Sequence, residues 1–343
     1  MDGRFASQRA LLAQYGVTPE RIEQRGKVAK VYTTNGVFAL KALHDEREAA
    51  AVWQSLRYYG RRCPPVYGTR QQSPFAVDGG RLYYLQAWHD QGVKADDEVV
   101  RSFFRGLAEL HRATIRTVAV KEEEIEAYRQ QKKNEWQRAR ALWEERVETY
   151  ESAWYMSPFQ LQCCTYFHEV MRAYSFAEEQ LAAWEEALKE TKQWRTAWVH
   201  GKARLSHYVA PYWISWERAH WNSPVYDLIA AFRTHVQTFP PLARAWFDGI
   251  DEYEKALPLS AGERAFLYGH LAEPRGFVRC LERYEATRRT ERNERAYVAA
   301  LQRCYFAFKN MEAVVMHLVQ RDAAQQQKEM SDAEAPIDEH GQG

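Results

Sequence analysis

Apolar side chains recur at three- and four-residue steps through the middle of the chain, the spacing of one face of an α-helix. Ile125, Tyr128, Trp136, Ala139, Trp143, Val147, Tyr150 and Trp154 form the first such stripe. After a break at Ser157-Pro158, Leu161, Cys164, Phe167, Met171 and Tyr174 continue the pattern, and Leu181, Trp184 and Leu188 predict a third helix. Val298, Leu301, Tyr305, Phe308, Met311 and Val315 predict another near the end of the chain. The first ninety residues read differently. Residues 27–32 and 36–41 predict two short strands joined by a turn at Thr34-Asn35-Gly36. A second pair, Phe75-Ala76-Val77 and residues 81–86, flanks Asp78-Gly79-Gly80, and a helix is expected to begin near Glu46. The pattern is therefore strands first and helices after. From about Gln325 the chain turns polar, and residues 326–343 are expected to be a disordered tail.

Composition narrows the function classes. The 47 basic and 46 acidic residues leave a net charge of +1, which gives no electrostatic reason to expect nucleic acid or an anionic membrane as a partner. No apolar run approaches the ~18 residues that a membrane span needs, and the segment from Met1 to Ala6 lacks the apolar core of a signal peptide. The expectation is a protein made inside a cell. Cys63, Cys163, Cys164, Cys280 and Cys304 show no metal-ligand spacing and are expected to be reduced thiols, mostly buried. Aromatic residues reach 14%, with 12 Trp and 20 Tyr. Their helical spacing favours packing between large helices over a sugar-binding platform.

The candidate chemistry lies in Val199-His200-Gly201-Lys202-Ala203-Arg204-Leu205-Ser206-His207 and in Trp213-Ile214-Ser215-Trp216-Glu217. These segments resemble the catalytic loop and metal-binding strand of the protein-kinase-like fold shared by aminoglycoside and choline phosphotransferases. There the loop reads His-Gly-Asp, four residues, then Asn, and the strand reads Ile-Asp-Phe-Asp or Ile-Asp-Trp-Glu. Lys202 stands where the resemblance places the catalytic Asp, His207 where it places the Asn, and Ser215 where it places the metal-binding Asp. Phosphoryl transfer relies on an Asp to take the hydroxyl proton and on oxygen ligands that hold magnesium against the phosphates. An ordinary lysine is protonated near neutrality and cannot accept that proton. A serine hydroxyl is a poor replacement for a magnesium-binding carboxylate, and an imidazole suits softer metals. No metal site is expected.

The resemblance runs in order from about residue 22 to residue 235. Lys41 ends the second strand, where kinases keep the lysine that pairs with phosphates and a helix glutamate, so Glu48 is its expected partner. The interlobe hinge falls near Ala87-Trp88, Leu110-His111-Arg112 matches a helix end, and Asp227 in Ser223-Pro224-Val225-Tyr226-Asp227-Leu228 matches the residue that braces the loop at His200-Gly201. The helical insertion between His111 and His200 is a feature of the small-molecule branch. The phosphate-covering loop is eroded to Gly26 alone. No cofactor is therefore expected, and Lys41, Glu48 and Glu217 are the candidate contacts should a nucleotide bind. The resemblance implies an α+β, two-lobed protein-kinase-like fold: a small antiparallel-sheet lobe at residues 1–88 and a large, mainly helical lobe at residues 89–325.

Within this fold the sequence is most similar to the CotS-related, spore coat kinase-like proteins of endospore-forming bacilli, through residues 36–41, Leu110-His111-Arg112 and residues 200–228. That resemblance implies a non-catalytic pseudokinase. It would be made in the mother-cell cytoplasm and built into the spore coat with other coat proteins as partners. The alternative is a divergent ATP-dependent phosphotransferase that uses Glu217, His207 or Lys202 in unusual roles.

Overall fold

The computed structural model describes residues 2–89, 96–235, 243–287 and 293–334. The chain opens on helix α1 (Asp2–Gln14), followed by strands β1 (Arg21–Arg25), β2 (Val28–Thr33) and β3 (Gly36–Ala42). Helix α2 (Glu46–Tyr59) leads to β4 (Val66–Tyr67), β5 (Ala76–Asp78) and β6 (Arg81–Ala87). These strands form one antiparallel sheet in the order β1-β2-β3-β6-β4, with β5 also paired to β6. The turns at Thr34-Asn35 and Gly79-Gly80 fall between paired strands, where the sequence places them. Alternate strand residues Ala29, Val31, Leu40 and Leu85 face inward and pack with Leu11, Leu12 and Tyr15 at the end of α1. The sequence did not announce α1.

The remainder is mainly helical. It comprises α3 (Asp97–Thr114), β7 (Arg116–Ala119), α4 (Glu122–Glu151), α5 (Pro158–Thr191) and β8 (Gln193–Val199). A short hairpin of β9 (Tyr208–Val209) and β10 (Tyr212–Trp213) follows, then β11 (His220–Asn222) and α6 (Val225–His235). The chain closes with α7 (Arg244–Ala256), α8 (Ala261–Ala272), α9 (Phe277–Ala286) and α10 (Glu294–Glu334). The architecture is the two-lobed α+β arrangement, strand-rich at the amino-terminal end and helical after it. Two compact units divide the described residues. One gathers those of Met1–Lys121, Thr191–His235 and Ala243–Ser260, and the other those of Glu122–Glu190 and Ala261–Gly343. The hinge position near residue 88 lies inside the first unit.

Four local expectations need correction. The stripe at Leu181, Trp184 and Leu188 belongs to the same helix as Tyr174, because α5 runs unbroken for 34 residues. Its buried face begins with Phe159, Cys163, Val170 and Tyr174; of the expected stripe Tyr174 is buried, whereas Leu161 is exposed. A capping box starts the helix: Gln160 N donates to Ser157 Oγ (3.3 Å), and Ser157 N donates to Gln160 Oε1 (2.8 Å), with Pro158 in the first turn. Trp154, expected on the buried face of α4, lies beyond its end and is 90% exposed. At the other terminus α10 continues to Glu334, so the first part of the expected tail is helical. Residues 335–343 lie outside the described residues.

Candidate functional site

All the residues singled out by the catalytic-loop resemblance fall in the first unit. Strand β8, held between β7 and β11, carries the chain into the loop at His200. There the backbone N–H groups of His200 and Gly201 donate to Asp227 Oδ2 (2.6 Å) and Oδ1 (2.9 Å). Asp227 is fully buried in the first turn of α6 and also accepts from His111 Nε2 at 3.1 Å. Burial alone would raise its carboxyl, but His111 and the His200 amide outweigh that and hold it below the ordinary range. The Nδ1 atom of His111 shares a 2.8 Å hydrogen bond with Tyr253 in α7. The loop is thus tied to three helices through one carboxylate.

Gly201 is obligatory for a separate reason. Its φ is +71°, and a Cβ built there would lie 2.1 Å from the carbonyl oxygen of Arg218. A second brace comes from the end of α6, where Leu205 N donates to His235 Nε2 at 2.9 Å. His235 must be neutral to accept this bond, and burial together with Arg204 lowers its pKa to about 4.

The substituted positions surround this braced loop. Lys202 is exposed, and its carbonyl accepts from His207 Nδ1 at 3.0 Å. Burial, His200 and the Lys202 charge lower the His207 pKa to about 3. An imidazole that weakly basic is a poor acceptor for a substrate proton near neutral pH. His200 is buried against Trp216 and Trp213 (ring centroids 4.7 and 5.6 Å) and donates through Nε2 to Ile214 O at 2.9 Å. Ser215 follows β10 in the left-handed region, φ +70°, which non-glycine residues rarely adopt.

The partner of Lys41 differs from the expected one. Its ammonium donates to Ser215 Oγ at 3.0 Å and to Glu217 Oε1 at 3.4 Å. Glu48 instead accepts from His44 N at 2.9 Å, while the N-cap Asp45 accepts from Glu48 N. The expected Lys41–Glu48 pair is replaced because Glu48 closes the first turn of its own helix. Glu217 also accepts a short hydrogen bond from the Tyr84 hydroxyl on β6. Burial pushes the Lys41 ammonium down, partly opposed by Glu217; burial pushes Glu217 up, but Lys41 and Tyr84 reverse that shift.

The nucleotide end is reduced further than the glycine count implied. Arg25 pairs with Val28, so only Gly26 and Lys27 connect β1 to β2. Lys27 Nζ sits 3.0 Å from His44 Nε2. Among the described residues, no group of three or more His, Cys, Asp and Glu side chains could hold a metal ion. Among them, too, no helix is long and apolar enough to cross a membrane.

Comparison with known proteins places this geometry in a family of folds. No protein-family model matches the chain, and no curated protein matches it significantly. Solved structures do. An aminoglycoside phosphotransferase from Alicyclobacillus acidocaldarius superimposes with a TM-score of 0.68 at 16% identity, covering 91% of this chain and 95% of that one. Spectinomycin phosphotransferase APH(9)-Ia in its AMP-bound complex gives 0.52 at 11% identity, covering 89% and 98%. A thermostable mutant of aminoglycoside phosphotransferase APH(4)-Ia gives 0.50 at 12%, covering 90% and 98%. The chain has the fold of the protein-kinase-like phosphotransferases. At these identities the likeness is one of fold, and function has to be argued from the site.

Proposed function

We propose that this chain is a non-catalytic pseudokinase that serves as a structural or assembly component of the bacterial endospore coat, similar to spore coat protein YsxE. The observation that carries the first half is the internal pairing of Lys41. The cation that a kinase turns toward phosphate is held by Ser215 and Glu217, and Glu217 is held in turn by Lys41 and Tyr84. Asp227 is occupied by the loop amides and His111. The site's carboxylates are thus committed to holding the frame, and the position of the proton acceptor carries Lys202. The two-residue β1–β2 turn supports the same reading. The coat assignment rests on the sequence resemblance in residues 36–41, 110–112 and 200–228. It carries with it synthesis in the mother-cell cytoplasm, other coat proteins as partners, and no required nucleotide.

A divergent phosphotransferase is the competing outcome, and ligand-linked stability separates the two. Any ligand that binds only the native state raises its apparent stability by RT ln(1 + [L]/Kd). The expected result is an unchanged melting temperature with millimolar ATP, with or without magnesium, and no phosphoryl transfer to aminoglycosides, choline-like alcohols, sugars or proteins. A fluorescent fusion should move from the mother-cell cytoplasm to the coat during sporulation. Magnesium-dependent stabilisation by ATP, with turnover abolished by Glu217→Ala, would overturn the non-catalytic reading. A fusion that stays diffuse would overturn the coat assignment alone.

A further inference from the structure

Two of the five cysteines lie face to face. Cys280 is in the first half of α9 and Cys304 in α10, and their sulfur atoms are 3.4 Å apart. Both side chains are half-buried, whereas Cys63 and Cys163 are buried and their thiols are pushed well up by burial. A disulfide needs the sulfurs at about 2.05 Å, so the pair must close by roughly 1.4 Å, a distance within reach of small side-chain rotations.

The surroundings of the two sulfurs are unequal. Gly276 is the N-cap of α9, and a Cβ built on it would lie 3.1 Å from Cys304 Sγ. Cys304 therefore packs against the amino terminus of a ten-residue helix, where a negative charge is favoured. Gly276 has φ +95°, so glycine both permits the turn and leaves room for the sulfur. The hydrogen bond shared between the two sulfurs, with Arg303 and Arg279 nearby, lowers the Cys304 thiol to about 7, while the same contact raises Cys280. Of the two sulfurs, Cys304 is therefore the one whose thiolate is favoured.

We propose that Cys280 and Cys304 form a redox modification site, a reversible disulfide that locks α9 to α10, with Cys304 as the attacking thiolate and Cys280 as the resolving thiol. The oxidant is a small peroxide. Cys304 sulfur attacks one peroxide oxygen; an S–O bond forms, the O–O bond breaks, and hydroxide leaves to become water with the Cys280 proton. Cys280, now a thiolate, then attacks the sulfenic sulfur of Cys304; the S–S bond forms, the S–O bond breaks, and hydroxide departs and takes a proton from solvent to become the second water. Two thiols lose two electrons and one peroxide gains them.

The test uses the reduced full-length protein, treated with hydrogen peroxide after removal of reductant. Titratable thiols should fall by two from the five in the sequence, and digestion without reduction should yield one new peptide joining Cys280 to Cys304. Dithiothreitol should restore both thiols. In Cys280→Ser, a dimedone-reactive sulfenic acid should accumulate at Cys304; in Cys304→Ser, Cys280 should stay reduced. The wild-type peptide map does not depend on either variant folding. A linkage between any other pair, or retention of both thiols while Cys164 is oxidised, would overturn the site. Sulfenic acid forming on Cys280 as readily as on Cys304 would overturn the assigned roles.

Discussion

The Lys41 side chain is 8% exposed, and its ionic partner Glu217, 176 residues away in sequence, is 20% exposed. Removing one member of such a pair strands the other as an uncompensated charge, which typically costs about 3–5 kcal/mol. Glu217→Gln should therefore destabilise the protein strongly, and adding Lys41→Met should return part of the loss. Chemical denaturation of the two single variants and the double variant measures this as a coupling energy of about 0.5–3 kcal/mol. The same cycle with Glu48→Gln should be additive to within about 0.5 kcal/mol, since Glu48 bonds to His44. A large Lys41–Glu48 coupling, with none between Lys41 and Glu217, would show that the kinase-type ion pair forms after all.

Among the elements, α4 and α5 make up the insertion between the braced helix end at His111 and the loop at His200. Their aromatic stripes are packing stripes in large part: Trp136, Trp143, Tyr150, Tyr174 and Trp184 are buried. Trp143 packs edge-on against Phe277, and its indole N–H has no hydrogen-bond acceptor among the described residues. Truncating Trp143 to Ala removes the ring and leaves a cavity, a change worth about 3–5 kcal/mol. Trp143→Phe should cost much less, because it keeps most of the packing and discards a buried donor that has no acceptor. Guanidinium denaturation midpoints rank the two variants. Equal losses would mean that the indole N–H is bonded in solution and that the aromatic stripe is a polar feature as well as a packing one.

For the molecule as a whole, several buried imidazoles set the response to acid. His207 titrates at about 3 and His235 at about 4, and burial also lowers His200, all from an ordinary value of 6.5. Between those folded values and 6.5 the unfolded chain binds more protons than the native one, so stability rises with pH across that window. It is fully present above about 6.5 and is lost as the pH falls toward 4. The lowered carboxyls of Asp227 and Glu217 add a loss of the same sign at still lower pH. The melting temperature should fall progressively between pH 6.5 and 4. His235→Gln, whose amide oxygen can still accept from Leu205 N, should flatten part of that slope. A melting temperature that is constant or rises on acidification would contradict the buried, neutral assignment of these histidines.

The sequence by itself determined the features whose physics is local. Asp227 and the loop at His200-Gly201 were legible only through the family resemblance, since 26 residues separate Gly201 from the carboxylate that accepts from its amide. The turns at Thr34-Asn35 and Asp78-Gly79-Gly80 and the helical character of residues 122–191 follow from turn chemistry and periodicity over short windows. Periodicity placed Leu161 on the buried face of α5, whereas packing buries Phe159 and Cys163 and leaves Leu161 exposed. The partner of Lys41 could not be read at all. Glu48 and Glu217 both satisfy the charge requirement, and the choice depends on where β3 meets a segment far along the chain. Cys280 and Cys304 likewise show no ligand spacing, since 24 residues separate two sulfurs that only helix packing brings within 3.4 Å. Periodicity records which side of an element is buried, whereas contacts between distant side chains are decided by distances that exist only once the elements have packed.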